Sequence, residues 1–191
     1  VVGFWGFNFW MPTVLKGLSG WSTTLLGGAI AIPMLAALVV QVIIGHTSTR
    51  TGDKVWHVAG ALLVGAVGLG CSPLVDSMGM ALFLVCLSAV GIYAAMGVWW
   101  TIPTTFLTGP AAAASVALIN SCGNIGGWVG PNMMAWVQTS TGAFDLGYYI
   151  MAAFMFAAAV LVLTVKYRWN GQVRKDMAQL DAEKATVLAA E

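Results

Sequence analysis

Charge is what this sequence has least of. Asp, Glu, Lys and Arg make up 8% of the 191 residues, whereas a soluble globular domain carries roughly a quarter. Between Val55 and Phe144 the only formal charge is Asp76. With 59% hydrophobic residues and a mean hydropathy of +0.86, the chain suits hydrocarbon better than water. An ordinary soluble domain is therefore excluded.

The cysteine count and the charge pattern remove further classes of protein. The three cysteines are odd in number and all lie in apolar segments, so they do not form a disulfide framework. The net charge is +1 and no basic cluster is present, which argues against nucleic-acid binding. The chain also lacks a nucleophile–base pair, a metal-ligand cluster and a phosphate-binding loop. We therefore predict no enzyme, no metal site and no cofactor.

Long apolar runs bounded by glycine, proline or charge are what the sequence does contain. About 20 such residues cross the hydrocarbon core of a bilayer. We predict six transmembrane helices, over residues 1–15, 25–45, 58–74, 79–107, 111–137 and 146–165. Pro33 and Pro103 fall inside two of these spans, where neighbouring helices can satisfy the freed carbonyls. The first run is short for a crossing, so we expect the chain to start inside a helix and to be a fragment.

The few cations lie in loops that alternate along the chain, and they predict an orientation. One set of loops holds Arg50, Lys54, Lys166, Arg168, Arg174, Lys175 and Lys184, and the other set holds Lys16. Cytoplasmic loops carry the excess of Lys and Arg, so both ends are expected in the cytoplasm. The helical bundle is predicted to occupy residues 1–167, and residues 168–191 to form a cytoplasmic tail.

Asparagines interrupt two of the apolar helices. Asn120 and Asn124 are spaced i, i+4 on one face of predicted helix five, and Asn8 lies in helix one. In lipid, a buried amide needs a partner in a neighbouring helix, a water-filled cavity or a ligand. Each of the three can therefore either contact a substrate or join two helices. Two glycine pairs in helix five predict close helix packing: Gly123/Gly127 and Gly126/Gly130.

A short internal repeat links helices one and four. Residues 6–13 read GFNFWMPT and residues 97–104 read GVWWTIPT, with Gly, Pro and Thr at matching offsets. Each half of many membrane transporters is built from three helices followed by three more of inverted topology. The repeat therefore favours a membrane transport protein with a 3+3 inverted arrangement.

The loop between helices two and three resembles a known signature. Residues 45–54, GHTSTRTGDK, are similar to the cytoplasmic hairpin Gly-x-x-x-Asp-Arg-x-Gly-Arg-Arg of the major facilitator superfamily. The matching residues are Gly45, Arg50, Gly52 and Lys54. The resemblance implies a tight turn at Gly52 and cations that clamp neighbouring helix ends. Thr49 replaces the usual acid and Asp53 replaces a base, so an ordinary solvated turn is the alternative.

Helices four and five narrow the resemblance to one family. This region contains WWTIPTTFLTG (99–109), AAAA (111–114), ALINSCGNIGG (117–127) and Gly130-Pro131. Together these segments closely resemble the anion:cation symporter family. That family holds phthalate, tartrate, glucarate, galactonate and sialic-acid carriers. Helix one fits the same family, although Trp5 stands where Tyr is commoner. The match covers residues 6 to about 147 and corresponds to helices seven to twelve of such a transporter.

The resemblance implies an all-α membrane protein: the C-terminal six-helix half-bundle of a major facilitator fold, in the bacterial inner membrane. Its implied partners are the N-terminal six-helix half, an organic anion, protons and the lipid bilayer. Asn120 matches a substrate-binding asparagine of the family and Trp100 a cavity-lining aromatic residue. Asn124 and Asn8 are further substrate-binding candidates, with helix packing favoured for Asn124 because glycines flank it.

Deep charges are absent from all six predicted spans. An anion carrier needs a cationic partner at membrane depth, and proton coupling needs a titratable group there. Both are expected in a first half that precedes this chain. The alternatives are a truncated, non-transporting remnant that packs as a bundle or binds a partner, and a freestanding six-helix channel.

Overall fold

Helices joined by short turns account for the regular structure of the described residues. The computed structural model describes the backbone of residues 1–103 and 109–188, and the side chains of residues 1–17, 19–103 and 112–168. The helices are α1 Val2–Ser19, α2 Thr23–Thr51, α3 Lys54–Cys71, α4 Met78–Trp99, α5 Gly109–Thr141 and α6 Asp145–Leu188, with a 3-10 turn at Ser72–Leu74. The prediction of an all-helical chain is confirmed over this part of the molecule. The backbone of α6 continues past the predicted tail boundary.

Local sequence signals set several helix ends. Gly20 and Gly52 end α1 and α2 in the left-handed conformation, with φ of 63° and 67°, which glycine adopts without steric cost. Ser22 and Asp53 begin α2 and α3, because the side-chain oxygen of each accepts a hydrogen bond from the backbone N–H three residues later. The turns between these helices are therefore tight.

The predicted fourth span is wrong at its end. The sequence predicts a helix that continues to residue 107 with Pro103 inside it, but α4 ends at Trp99 and a turn follows. Proline has no backbone N–H, and it disfavours the α conformation for the residue before it, here Ile102. Residues 104–107 of that prediction lie outside the described chain. Pro33 is inside α2, as predicted.

α3 and α4 pack closely through small residues. Gly65 and Gly91 face each other, and a Cβ atom on Gly91 would overlap the backbone of Gly65. One turn further along, Gly68 lies against Ser88, whose hydroxyl donates to the Leu84 carbonyl at 2.8 Å. Small residues let two helix backbones approach, which strengthens the van der Waals packing between helices in lipid.

Methionines of α6 pack against both α1 and α3. Met151 covers Gly6 of α1, and Met155 lies against both Gly3 of α1 and Gly65 of α3. Unbranched thioether side chains fill such irregular gaps well. The remaining close pairings are α2 with α4 and α5 with α1.

The outside of the bundle is apolar. Large hydrophobic side chains are more than half exposed on several helices, among them Leu38, Val42, Phe83, Phe156 and Leu161. Water-soluble monomers rarely expose contiguous apolar surface of this extent. Four helices have the length and composition to cross a membrane: Thr23–Thr51, Lys54–Leu74, Met78–Trp99 and Asp145–Arg168. Over the described residues, length and composition thus support four of the six predicted spans.

Two ends of the bundle can be distinguished. At one end, Lys54 contacts the carbonyl of Thr101 and Asp53 pairs with Lys166. We call this the Gly52 end. At the opposite end, residues 13–17, 72–76 and 144–148 surround a common cavity, and we call this the Asp76 end.

Candidate functional site

Asn120 and Asn124 lie one turn apart on an exposed side of α5. Asn124 Nδ2 donates to Asn120 Oδ1 at 3.4 Å, which is longer than the 2.7–3.2 Å of an ordinary N–H···O bond. Each amide offers two donors and one acceptor oxygen with two lone pairs. One long bond between them leaves most of that capacity for another molecule. The same side of the helix continues through Trp128, which is 70% exposed.

The opposite side of α5 is packed against α1. A Cβ atom on Gly130 would overlap the Val2 carbonyl oxygen, and one on Gly126 would lie 3.0 Å from the Val2 nitrogen. Trp10 Nε1 donates to the Pro131 carbonyl at 3.0 Å. The close packing predicted from the glycine pairs is confirmed for this contact. α5 therefore has one packed side and one side that carries free amide groups.

Trp5 of α1 lies at the border between these two sides. Its indole ring reaches to 2.8 Å from the position that a Cβ atom on Gly127 would occupy, and the residue is 45% exposed. Gly127 is three residues from Asn124, so the two positions are neighbours on the helix surface. The ring therefore lies beside the asparagines, and we call Trp5, Asn120 and Asn124 the amide face. The sequence drew attention to Trp5 only as a departure from the family pattern.

Asn8 is engaged inside the bundle. Its Nδ2 donates to the Phe4 carbonyl and its Oδ1 accepts from the Tyr93 hydroxyl, both at 2.7 Å. The rings of Phe4 and Tyr93 meet edge to face at 5.3 Å. Asn8 thus joins α1 to α4, which is one of the two roles that the sequence leaves open. Contact between Asn8 and a substrate stays a prediction. Sequence reasoning missed Tyr93, because a single tyrosine in an apolar helix has no spacing that marks it.

Trp100 follows the last residue of α4 and is half-buried. Lys54 Nζ donates to the carbonyl of the next residue, Thr101, at 2.9 Å, so Trp100 lies at the Gly52 end. Tyr93 is seven residues earlier, about 10 Å away along the helix axis. Within the described part of the chain, no hydrogen bond or ring contact joins Trp100 to Asn120. Its role as a cavity wall stays a prediction.

The loop signature forms a tight turn that contacts two other helices. Gly45 lies inside α2, Arg50 is exposed in the last turn of that helix, and Gly52 makes the turn. The bond from Lys54 to Thr101 places a cation at the C-terminal end of α4, where the helix dipole is negative. The same turn therefore holds the end of α4.

Asp53 connects this turn to α6. Lys166 Nζ lies 2.8 Å from Asp53 Oδ2, and the hydrogen bond that it donates lowers the pKa of the Asp53 carboxyl group. The Lys166 ammonium also lies 5.9 Å from the ring centre of Trp56. An acid thus makes the interhelical contact where the family signature has a base. Sequence reasoning missed Lys166, which is distant from Asp53 in the chain.

Two cavities lie away from the amide face. One, of about 330 Å³ at the Asp76 end, is lined by Thr13, Asp76, Asp145 and Tyr148 among others. The second, of about 310 Å³, lies between α2, α3 and α4 near the Gly52 end and is almost wholly apolar. No cluster of His, Cys, Asp and Glu in the described residues could hold a metal ion.

Curated proteins that resemble this chain are named as transporters. A protein of Agrobacterium vitis described as a tartrate transporter is 40% identical over 84% of this chain and 36% of its own length. A quinolone resistance transporter of Acinetobacter baumannii is 33% identical over 84% of this chain and 37% of its own length. The inner membrane transport protein RhmT of Escherichia coli is 30% identical over 94% of this chain and 41% of its own length. The chain therefore spans about two fifths or less of these relatives. No family model and no solved structure matches it.

Proposed function

We propose that this chain belongs to the anion:cation symporter family of the major facilitator superfamily and forms the C-terminal half of a secondary active transporter for an organic anion. Its resemblance to curated transporters supports the proposal. The observation that carries the proposal is the amide face. Asn120 and Asn124 are exposed on α5, and their mutual bond is too long to satisfy them. Polar groups placed in this way within a membrane need a ligand, a water-filled cavity or a partner helix.

The proposed half-bundle has six spans in a 3+3 inverted arrangement. In support, α5 packs against α1 and α2 packs against α4, so the second helix of each triplet contacts the first helix of the other. The first residues of the two repeated segments, 6–13 and 97–104, make corresponding contacts. Gly6 faces Gly130 of α5, and Gly97 faces Gln41 of α2. α1 and α5 would then cross the membrane together with the four more apolar helices.

The amide face is the proposed contribution of this half to substrate binding. Asparagine donates to a carboxylate and accepts from a hydroxyl without burying a charge, which suits a hydroxy acid. Asn120 is proposed as the principal contact, with Asn124 beside it and Trp5 as an adjoining wall. Trp100 is proposed as a more distant element of the same cavity. Asn8, which joins α1 to α4, is proposed as a scaffold residue, with direct substrate contact as the alternative. The cation for the carboxylate and the titratable group for proton coupling would come from the N-terminal half.

The Gly52 end is proposed to face the cytoplasm, because the loops at that end hold most of the cations. A reporter joined after Lys54 or Lys175 should then be cytoplasmic, and one joined after Asp76 or Asp145 should be periplasmic. A cysteine at position 145 that reacts only from the cytoplasmic side would reverse the orientation.

Reconstituted uptake tests the proposed transport. Residues 1–191 alone should carry no organic anion, because an unpaired carboxylate at membrane depth costs several kcal/mol. The same chain joined behind the N-terminal half of the Agrobacterium vitis relative should take up labelled tartrate or a related hydroxy acid when a proton gradient is imposed. The matched control is this chimera with Asn120→Ala.

Two results would contradict the proposal. Uptake by residues 1–191 alone would indicate a homo-oligomer or a freestanding channel. A chimera that folds in the membrane but carries none of a panel of organic anions would favour the non-transporting remnant. Including a quinolone in the panel distinguishes anion uptake from the activity for which the Acinetobacter baumannii relative is named.

A further inference from the structure

The apolar cavity near the Gly52 end has the form of a groove in the outer surface of the bundle. It measures about 310 Å³ and lies between α2, α3 and α4. We call it the Gly60 groove, and its lining includes Val40, Trp56, His57, Gly60, Val64 and Val90. Trp56 is 48% exposed and Val64 is 38% exposed, so the groove is open along its length to the surroundings of the bundle. It lies apart from the amide face.

The depth of the Gly60 groove matches one leaflet of a bilayer. On α3 its lining reaches Val64, which is about 15 Å from the helix start at Lys54. On α4 it reaches Val90, about 13 Å from the helix end at Trp99. On α2 it reaches Val40, about 16 Å from the end of that helix. Half of the roughly 30 Å hydrocarbon core is about 15 Å. On all three helices, the groove therefore extends about as far from the helix end as one acyl chain extends into the bilayer.

The mouth of the Gly60 groove carries positive charge and an amphipathic aromatic ring. Arg50, Lys54 and Lys166 lie at the Gly52 end with one carboxylate, Asp53, so these four side chains have a net charge of +2. The Lys166 ammonium is 5.9 Å from the ring centre of Trp56, which itself lines the groove. Tryptophan is enriched where hydrocarbon meets water, and basic pockets between transmembrane helices bind anionic lipid headgroups.

We propose that the Gly60 groove binds an acyl chain of an anionic phospholipid whose headgroup lies against the cations of the Gly52 end. The apolar walls of the groove extend over the depth of one leaflet and fit the acyl chain. The net positive charge at the mouth selects the anionic headgroup. A neutral lipid would fill the walls equally well but would leave the charges unmatched. Lipid binding at this groove requires that the chain cross a membrane and is independent of which anion the transporter carries.

Photolabelling of the unchanged chain tests where the lipid lies. The chain is placed in nanodiscs of phosphatidylcholine that contain a minor fraction of phosphatidylglycerol with a photoreactive group in its acyl chain. Labelling should concentrate on the segments that line the groove, residues 40–44, 56–64 and 90–94. The same probe on phosphatidylcholine should label these segments several-fold less. Labelling that is equal for the two lipids, or that is spread evenly over the exposed apolar surface, would overturn the proposal.

A groove-filling substitution tests affinity. A Cβ atom on Gly60 has no heavy atom within 4 Å, so Gly60→Phe can place its ring in the groove without a clash. Gly28 of α2 is equally open and is not part of the lining, so Gly28→Phe is the matched control. By native mass spectrometry, Gly60→Phe should weaken phosphatidylglycerol binding about tenfold, and Gly28→Phe less than twofold.

The remaining outcomes are also decisive. Undiminished lipid binding by a folded Gly60→Phe would overturn the proposal, and if that variant does not fold, the labelling of the unchanged chain decides. Loss of the groove labelling when an N-terminal half is attached would identify the occupant as protein and not lipid. These readouts need no transport, so failed uptake would leave the lipid site standing, and a failed lipid site would leave the transport proposal standing.

Discussion

α4 and α5 are both apolar helices that contain polar side chains, yet they use those side chains differently. On α4, the buried Ser88 hydroxyl donates to a carbonyl of its own helix, and the Tyr93 hydroxyl donates to Asn8 of α1. On α5, Asn120 and Asn124 are exposed and share one long bond. Polar groups satisfied inside the chain serve packing, whereas unsatisfied ones are available for a ligand. The difference supports our proposal that α4 is scaffold and that α5 carries the binding residues.

Enlarging a glycine of the scaffold should have the largest effect on stability. Gly91→Val places a side chain where even a Cβ atom would overlap the Gly65 backbone, so α3 and α4 must separate. We expect the free energy of unfolding to fall by about 3 kcal/mol. Gly60→Val, on the same helix pair but with open space around its Cβ atom, is the control and should change stability little. Thermal unfolding in detergent measures both, and equal melting temperatures would contradict the close α3–α4 contact.

Removing an amide from α5 should affect binding more than stability. In the proposed full-length transporter, Asn120→Ala should weaken substrate binding by roughly 1.5–3 kcal/mol, about ten- to a hundredfold, the value of a hydrogen bond to a charged group. The loss of folding stability should stay near the ~0.6 kcal/mol average for interhelical hydrogen bonds in membranes. Asn124→Ala is the comparison and should change affinity less. Normal affinity with a lower melting temperature in Asn120→Ala would show that this residue is structural.

The hydrogen bond between α1 and α4 should behave in the opposite way. Tyr93→Phe removes only the hydroxyl that donates to Asn8. A double-mutant cycle of Tyr93→Phe with Asn8→Ala should give a coupling of about 0.6 kcal/mol in unfolding, with substrate affinity nearly unchanged. If Asn8→Ala lowers affinity strongly while leaving stability intact, Asn8 belongs to the binding site and the distinction between the two helices is wrong.

The Asp53–Lys166 pair should contribute a small and pH-dependent stability. Lys166 lowers the pKa of Asp53 in the folded chain below its ordinary value of 3.8. The stabilisation is therefore complete above pH 3.8 and is lost as the pH falls through the lowered pKa. Because both side chains are partly exposed, we expect only about 0.2–1 kcal/mol.

Asp53→Asn isolates the charge in that pair, since asparagine can still cap α3. The difference in melting temperature between the parent chain and Asp53→Asn should be present at pH 6 and shrink toward pH 3. Added salt should also reduce the difference at pH 6. A difference that does not depend on pH would indicate that the contact acts through packing and not through charge.

The sequence predicts most features that arise within one helix, and it misses the partners that a helix meets elsewhere in the chain. Apolar runs predict the helices, and glycine spacing predicts that α5 packs closely on one side, because both signals are local. The spacing does not identify α1 as the partner. The end of α4 was missed because apolar composition continues past Ile102 while proline stops the helix. Tyr93 and Lys166 were missed because their partners lie 85 and 113 residues away. The amide pair was predictable from its spacing, whereas the position of Trp5 beside it was not.

Accessibility of position 120 tests the central claim most directly. Cys71, Cys86 and Cys122 are first replaced by alanine in the proposed full-length transporter, and Asn120→Cys is compared with Val160→Cys, an exposed position on the apolar surface of α6. We predict that a membrane-impermeant thiol reagent labels position 120, that the transported anion slows this labelling, and that position 160 does not react. A cysteine at position 120 that resists the water-soluble reagent but reacts with a lipid-soluble one would place the amide face in lipid and contradict the account.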